Sequence, residues 1–140
     1  MKHTVYFKAA QNMNLLGDNT IDIVVTSPPY PMIEMWDEIM SSQNYEIKKA
    51  FEENKPRQAF ELMHQELDKV WTECWRVLKE GAFLCINIGD ATRTIAGEFA
   101  LYNNNTRIIQ ACEKLGFTNL PNILWKKTTN APNKFMGSGM

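Results

Sequence analysis

The chain has 140 residues, 44% of them hydrophobic and 22% charged. That composition supports one domain, residues 1–140, and excludes an intrinsically disordered chain. No apolar run approaches the roughly 18 residues that a membrane span needs, and residues 1–25 lack the charged stretch and apolar core of a signal peptide. The net charge of −1 hides an asymmetry: residues 1–70 carry 7 basic and 11 acidic side chains, residues 71–140 carry 8 basic and 5 acidic. From Pro121 onward there are three lysines (Lys126, Lys127, Lys134) and no acid. Trp125 and Phe135 among those lysines would suit contact with phosphates and bases, although charge alone favours an ordinary solvated surface.

Three cysteines (Cys74, Cys85, Cys112) are widely spaced and odd in number. Without a CxxC or CxxH pattern they suggest neither a metal site nor a disulfide framework. Their apolar surroundings predict small buried hydrophobes in a reducing, cytoplasmic protein.

In chain order, residues 4–7 are short and β-prone, and residues 9–16 predict one or two helical turns stopped by Gly17. Residues 21–25 (Ile-Asp-Ile-Val-Val) are almost all β-branched and apolar, as in a strand buried on both faces of a parallel sheet. Pro28 and Pro29 lack the N–H that a central strand donates, so the strand ends there. Residues 31–55 read as a long loop with one short helix near 45–52. Phe60, Met63, His64, Leu67, Val70, Trp71, Cys74 and Leu78 recur at steps of three or four, the single apolar face of a helix. Pro56 suits its first turn and Gly81 its stop. His64 lies on that face, and a packed core or boundary histidine is favoured over a catalytic base.

Residues 82–88 read as a second buried strand, closing in Gly89-Asp90. Residues 91–105 read as a polar loop. Residues 106–115 form a short amphipathic helix stopped by Gly116. Residues 117–127 read as a third strand with Leu120, Ile123, Leu124 and Trp125 as its apolar part. The alternation of strands and helices predicts an α/β fold, a sheet with crossover helices.

Ligands of open α/β sheets bind beyond the carboxyl ends of the strands. Thr26-Ser27-Pro28-Pro29-Tyr30 lies at such an end. Two prolines hold the backbone in a rigid, extended path. Such a loop can aim a hydroxyl, a carbonyl and an aromatic ring at one small target.

At these residues the chain resembles the amino-methylating DNA methyltransferases. Their catalytic motif, [Asp/Asn/Ser]-Pro-Pro-[Tyr/Phe/Trp] after a buried strand, is matched in full by Ser27–Tyr30. Ile86–Asp90 looks like the next strand of that family, and Ile123–Lys127 like a later strand on the target-base side. The order is that of the permuted members, in which the catalytic motif comes first. The resemblance, which covers about residues 3–130, implies a partial Rossmann-like S-adenosylmethionine-dependent methyltransferase sheet, incomplete at its C-terminal side.

The resemblance also implies roles. The Ser27 side chain and the Pro28 carbonyl would accept the two N–H bonds of an exocyclic base amine, Pro29 would hold the loop, and Tyr30 would stack on a base flipped from the duplex. Trp125, Lys126 and Lys127 would lie on the DNA side. S-adenosylmethionine is the implied cofactor, and Asp90 is a candidate contact for it. No metal is called for. Serine at the first motif position tilts the target toward cytosine N4 over adenine N6.

The family's donor loop is usually Phe-x-Gly-x-Gly after a strand. Phe135–Gly139 fits that string through Gly137 and Gly139. However, residues 128–134 are polar and turn-like, and a loop near the recognition region is favoured over a cofactor loop. The chain therefore reads as the N-terminal catalytic half of a methyltransferase. DNA is the expected partner, with a second chain, a C-terminal segment carrying the cofactor site, or a homodimer completing it. Alternatives are a methyltransferase acting on RNA or protein amines, and a non-catalytic DNA-binding or assembly subunit.

Overall fold

The computed structural model describes residues 2–126. Strand β1 (Ile21–Thr26) pairs in parallel with β2 (Leu78–Ile86). Between them lie a single 3₁₀ turn (Glu34–Trp36) and three helices, α1 (Asp37–Gln43), α2 (Tyr45–Glu52) and α3 (Pro56–Val77). An antiparallel hairpin follows, β3 (Ala91–Ile95) with β4 (Glu98–Tyr102), and then α4 (Asn104–Leu115). The α/β class and the parallel pair joined by a helical crossover agree with the sequence reading.

Helix α3 is the central element. Its apolar stripe buries Ala59, Met63, His64, Leu67, Trp71, Cys74 and Val77 against α1, α2, α4 and the strands. Pro56 begins it as expected. The amide at Leu78 still bonds back to the Cys74 carbonyl, and the chain passes straight from α3 into β2. Gly81 is therefore not the helix stop. It sits inside β2 at φ +75°, where the register slips between Ile21↔Leu78 and Ile23↔Phe83. A bulge places one residue in the left-handed region, which glycine adopts without steric cost.

Polar groups tie the N-terminal segment to α3. The Arg76 guanidinium donates to the carbonyls of Met13 and Leu16 and to Asp18 and Glu73. The Glu66 carboxylate is buried and accepts from Gln11 (3.2 Å) and Asn44 (3.0 Å), with Lys69 beside it. These bonds hold residues 9–20 in turns rather than the expected helix, and residues 4–7 form no strand.

Four further expectations are corrected. The loop at 31–55 keeps its helix near 45–52 as α2 but also contains the 3₁₀ turn and α1. The polar stretch at 91–105 is a hairpin whose two-residue turn, Ala96-Gly97, has φ +51° and +82°. Positive φ at both central positions matches the right-handed twist of the flanking strands. Residues 118–126 carry no regular structure, and Ile123, Leu124 and Trp125 are exposed, so the third strand is absent there. Finally, β1 is not buried on both faces: Ile23 and Val25 are exposed, as are Phe83 and Cys85 of β2. With one neighbour each, these strands pack their other face, through Val24, Leu84 and Ile86, onto the core.

Gly116 ends α4 at φ +113°, and a Cβ there would lie 2.9 Å from the Trp75 ring. Gly97, at φ +82°, has nothing within 4 Å of such a Cβ. Gly97→Ala should therefore cost only the conformational penalty, about 1 kcal/mol. Gly116→Ala adds a collision with a ring packed on Phe117, and should cost at least about 2 kcal/mol. Urea unfolding of the two variants measures the difference; equal losses would mean that Trp75 moves aside freely.

Candidate active site at the end of the first strand

The last rung of the parallel ladder is the Asn87 amide donating to the Thr26 carbonyl at 2.8 Å. Beyond it the chain cannot continue a ladder on that edge, because Pro28, Pro29 and Pro31 have no N–H. The next backbone bond is a turn, the Ile33 amide to the Tyr30 carbonyl at 3.2 Å. From Ser27 to Pro29 the backbone thus offers three carbonyl acceptors and a single N–H donor, at Ser27. Such a surface is matched to a group that brings its own N–H bonds.

Ser27 is exposed, Pro28 is buried, and Pro29 and Tyr30 are half-buried. The Ser27 hydroxyl lies 3.5 Å from the Tyr30 hydroxyl, a long and weak hydrogen bond that leaves it available to a stronger acceptor or donor. The Tyr30 ring reaches over Gly89 at the end of β2, where a Cβ would stand 3.5 Å from Tyr30 Cε2. The ends of both parallel strands therefore meet at Tyr30. Immediately after the motif, Met32 is 1% exposed and held at φ +68°. A buried side chain in that region is strained unless its surroundings over-determine it.

The other predicted site residues are placed as follows. Asp90 is exposed beside this strand end, but its Oδ1 accepts from the Asn105 amide at 3.0 Å. It caps the first turn of α4, where a carboxylate also meets the positive end of the helix dipole. Trp125 is 69% exposed and Lys126 is exposed. Lys127, Gly137 and Gly139 lie outside the described residues. His64 is fully buried, as the core-histidine reading expects. Its Nε2 lies 2.9 Å from Asn104 Oδ1, and its Nδ1 has no hydrogen-bond partner. Asn104, fully buried at the start of α4, was not singled out by the sequence. Three consecutive asparagines look like a turn, and nothing in the string distinguishes the middle one.

Two cysteines are buried, and burial pushes the thiols up, Cys74 to about 11 and Cys112 to about 12. Both are protonated at neutral pH and neither is a nucleophile. A groove of about 650 Å³ runs between α1, α2 and β3, lined by Asp37, Phe51 and Arg93 among others. None of Ser27–Tyr30 lines it. Among the described residues there is no glycine loop leading from a strand into a helix, and Asp90 is engaged as a cap. These residues do not by themselves form a cradle for the adenosyl donor that the sequence resemblance implies.

A family model described as DNA methylase matches residues 21–138, beginning at the first residue of β1. The chain belongs to the DNA methylase family. Two relatives of this DNA methylase chain are Type II methyltransferases. M.MjaI of Methanocaldococcus jannaschii is 50% identical over 98% of this chain and 49% of its own length. M.MthZI of Methanothermobacter thermautotrophicus is 48% identical over 99% of this chain and 39% of its own. The chain thus spans about half or less of the relatives it matches. Among solved structures, a putative DNA modification methylase from Thermus thermophilus, complexed with S-adenosyl-L-methionine, superposes with a TM-score of 0.62. It is 30% identical over 86% of this chain and 44% of that one. The fold is accordingly part of a Rossmann-like methyltransferase.

Burial brings His64 down from 6.5 to about 4, opposed by its bond to Asn104. Its proton affinity is lower folded than unfolded, so protonation favours the unfolded chain. The stabilisation is complete above about pH 6.5 and is lost as pH falls toward about 4, by then on the order of 3 kcal/mol. Urea midpoints should decline between pH 6.5 and 4.5, before the carboxylates titrate. His64→Gln, which has no such proton, should flatten the decline. A slope unchanged in that variant would place the titrating group elsewhere.

Proposed function

We propose that this chain supplies the amine-side catalytic surface of a DNA methyltransferase that transfers a methyl group from S-adenosylmethionine to the exocyclic amine of a flipped base. The observation that carries the reading is the acceptor-rich end of β1, Ser27-Pro28-Pro29-Tyr30, with an aromatic ring at its margin. An exocyclic amine is conjugated with its ring and is a poor nucleophile. Two acceptors that take both N–H bonds draw the nitrogen toward a tetrahedral shape and return its lone pair. The Ser27 hydroxyl and the Pro28 carbonyl are assigned that role, Pro29 the rigidity, and Tyr30 the stacking surface for the base. The bound donor supplies an electrophilic methyl carbon on a sulfonium. No covalent enzyme intermediate is required, which agrees with the protonated state of Cys74 and Cys112.

Serine at position 27 favours cytosine N4 as the target. The Type II names of the two relatives support a modification enzyme of a restriction–modification system. The donor's cradle is assigned to chain outside residues 2–126, in the same polypeptide or in a partner. Trp125, Lys126 and Lys127 are assigned to the nucleic-acid side, where an aromatic beside lysines gives stacking and phosphate contact. A second reading is a DNA-binding or assembly subunit that does no chemistry itself. Labelled S-adenosylmethionine separates the two: donor binding and transfer with the missing segment supplied support the enzyme, whereas DNA binding without transfer supports the subunit.

With the donor-binding segment supplied in cis or in trans, Ser27→Ala should lower methyl transfer on the order of 10–1000-fold, by analogy with other preorganised polar groups. Its urea midpoint should stay near wild type, because the side chain is exposed and its loss opens no cavity. Nucleoside analysis of the product then reads N4-methylcytosine against N6-methyladenine. Wild-type turnover by Ser27→Ala would remove Ser27 from the mechanism.

DNA affinity measured against salt tests the basic end. Lys126→Ala and Lys127→Ala should each flatten the dependence of log affinity on log salt by about one phosphate contact. An unchanged slope would mean that neither lysine touches the backbone.

A further inference from the structure

The residues of the catalytic motif are not held by their own bonds alone. Asn104 lies at the head of α4, fully buried, with every polar atom of its side chain engaged. Its Nδ2 donates to the Pro31 carbonyl at 3.0 Å and to the Gly89 carbonyl at 3.1 Å. Its Oδ1 faces His64 Nε2 at 2.9 Å. Two carbonyl oxygens on one side require the amide nitrogen there, because the flipped amide would set oxygen against oxygen. His64 must then donate from Nε2, which leaves Nδ1 without a proton and without a partner, as observed. Phe60, packed edge-on to His64 with ring centroids 4.6 Å apart, helps hold the imidazole in place.

We propose that Asn104 is a positioning residue for the catalytic motif, with His64 fixing the direction of its amide. The two carbonyls it binds adjoin Tyr30 on both sides: Pro31 follows it in the chain, and Gly89 lies against its ring, where a Cβ would stand 3.5 Å from Cε2. One amide group therefore sets both the backbone leaving Tyr30 and the surface on which Tyr30 rests. The same bond to Pro31 helps hold the strained, buried turn at Met32, φ +68°. Asp90 adds a second tie between the end of β2 and α4 through the Asn105 amide. Helix α4 is thereby clamped to both strand ends, and the Ser27–Tyr30 acceptors are held still while an amine is brought to them. This inference rests on the proposed function for its catalytic consequence, but the clamp itself is a property of the fold.

The test uses the enzyme with its donor-binding segment and compares wild type with Asn104→Asp, His64→Leu and His64→Gln. Asn104→Asp keeps the shape and removes both N–H donors. His64→Leu removes the donor that orients Asn104, and His64→Gln keeps an N–H near the same place. For Asn104→Asp, kcat should fall about 100-fold, the scale expected for a small displacement of reacting groups, with the KM for donor within about twofold of wild type. His64→Leu should lose about tenfold in kcat, and His64→Gln should recover most of that loss. Hydrogen exchange at the Ile33 amide, which bonds the Tyr30 carbonyl, should quicken in His64→Leu and not in His64→Gln.

Wild-type kcat in folded Asn104→Asp, or equal damage in the two His64 variants, would overturn the proposal. If Asn104→Asp fails to fold, the His64 pair decides. If the wild-type enzyme methylates no DNA amine, the functional reading fails. Exchange at Ile33 still judges the clamp: unchanged protection in His64→Leu refutes it, and selective loss upholds it.

Discussion

The burial of one face of α3 is the interaction on which the remaining structure depends. Trp71, Met63 and Val77 are removed from water along that face, and each neighbouring element covers part of it. Fully burying such side chains contributes roughly 1.5–3 kcal/mol each, more than any surface ion pair can. The polar bonds then choose among the ways of covering α3. Arg107 from α4 reaches Glu61 and Asp68 on α3. Glu66 reaches the α1–α2 junction through Asn44. Arg76 holds the segment before β1. Because α3 runs directly into β2, its position also sets where β2 begins, and β1 follows by pairing.

This hierarchy explains what the sequence disclosed. The helix Pro56–Val77 is legible because burial on one side imposes a period on its apolar side chains. β1 was legible because β-branched residues followed by two prolines leave little else to form. The functional motif was legible for a related reason: proline states its backbone geometry in the residue name. The hairpin was missed because Thr92, Arg93 and Thr94 are polar, and its core contacts come only from Ala91, Ile95, Ala100 and Tyr102. Its turn signal, Ala96-Gly97, is weaker than Asn-Gly. Gly81 was misread because a helix stop and a strand bulge ask the same thing of glycine, a positive φ.

The expected strand at 117–127 failed for a different reason. Apolar composition reports that a segment has something to bury, not that the burying partner lies within the same described residues. Ile123 and Leu124 are 96% and 91% exposed, and Ile23, Val25 and Phe83 leave one face of the parallel pair open to water. Parallel strands are ordinarily covered on both faces. Phe117 finds cover against Trp75, whereas Ile123 and Leu124 carry apolar surface that residues 2–126 leave exposed.

The motif and its support divide along the line of exposure. Ser27 is open to solvent and Pro29 and Tyr30 are half-buried, while Pro31, Met32, Asn104 and His64 behind them are buried. An exposed hydroxyl such as that of Ser27 has no cost while solvent satisfies it, so it can stand open between encounters. Its rigidity has to come from elsewhere, since prolines remove the N–H groups that would otherwise anchor it. A buried amide with two donors is a compact anchor: from α4 it grips the loop through the Pro31 carbonyl, an acceptor that proline still offers. Burying that amide leaves its own oxygen to be satisfied, which a neutral histidine with a proton on Nε2 can do and a charged one would do only at a large desolvation cost. The asparagine thus answers a need that the prolines create, while the neutral state of His64 comes from its burial, against the pull of its bond to Asn104.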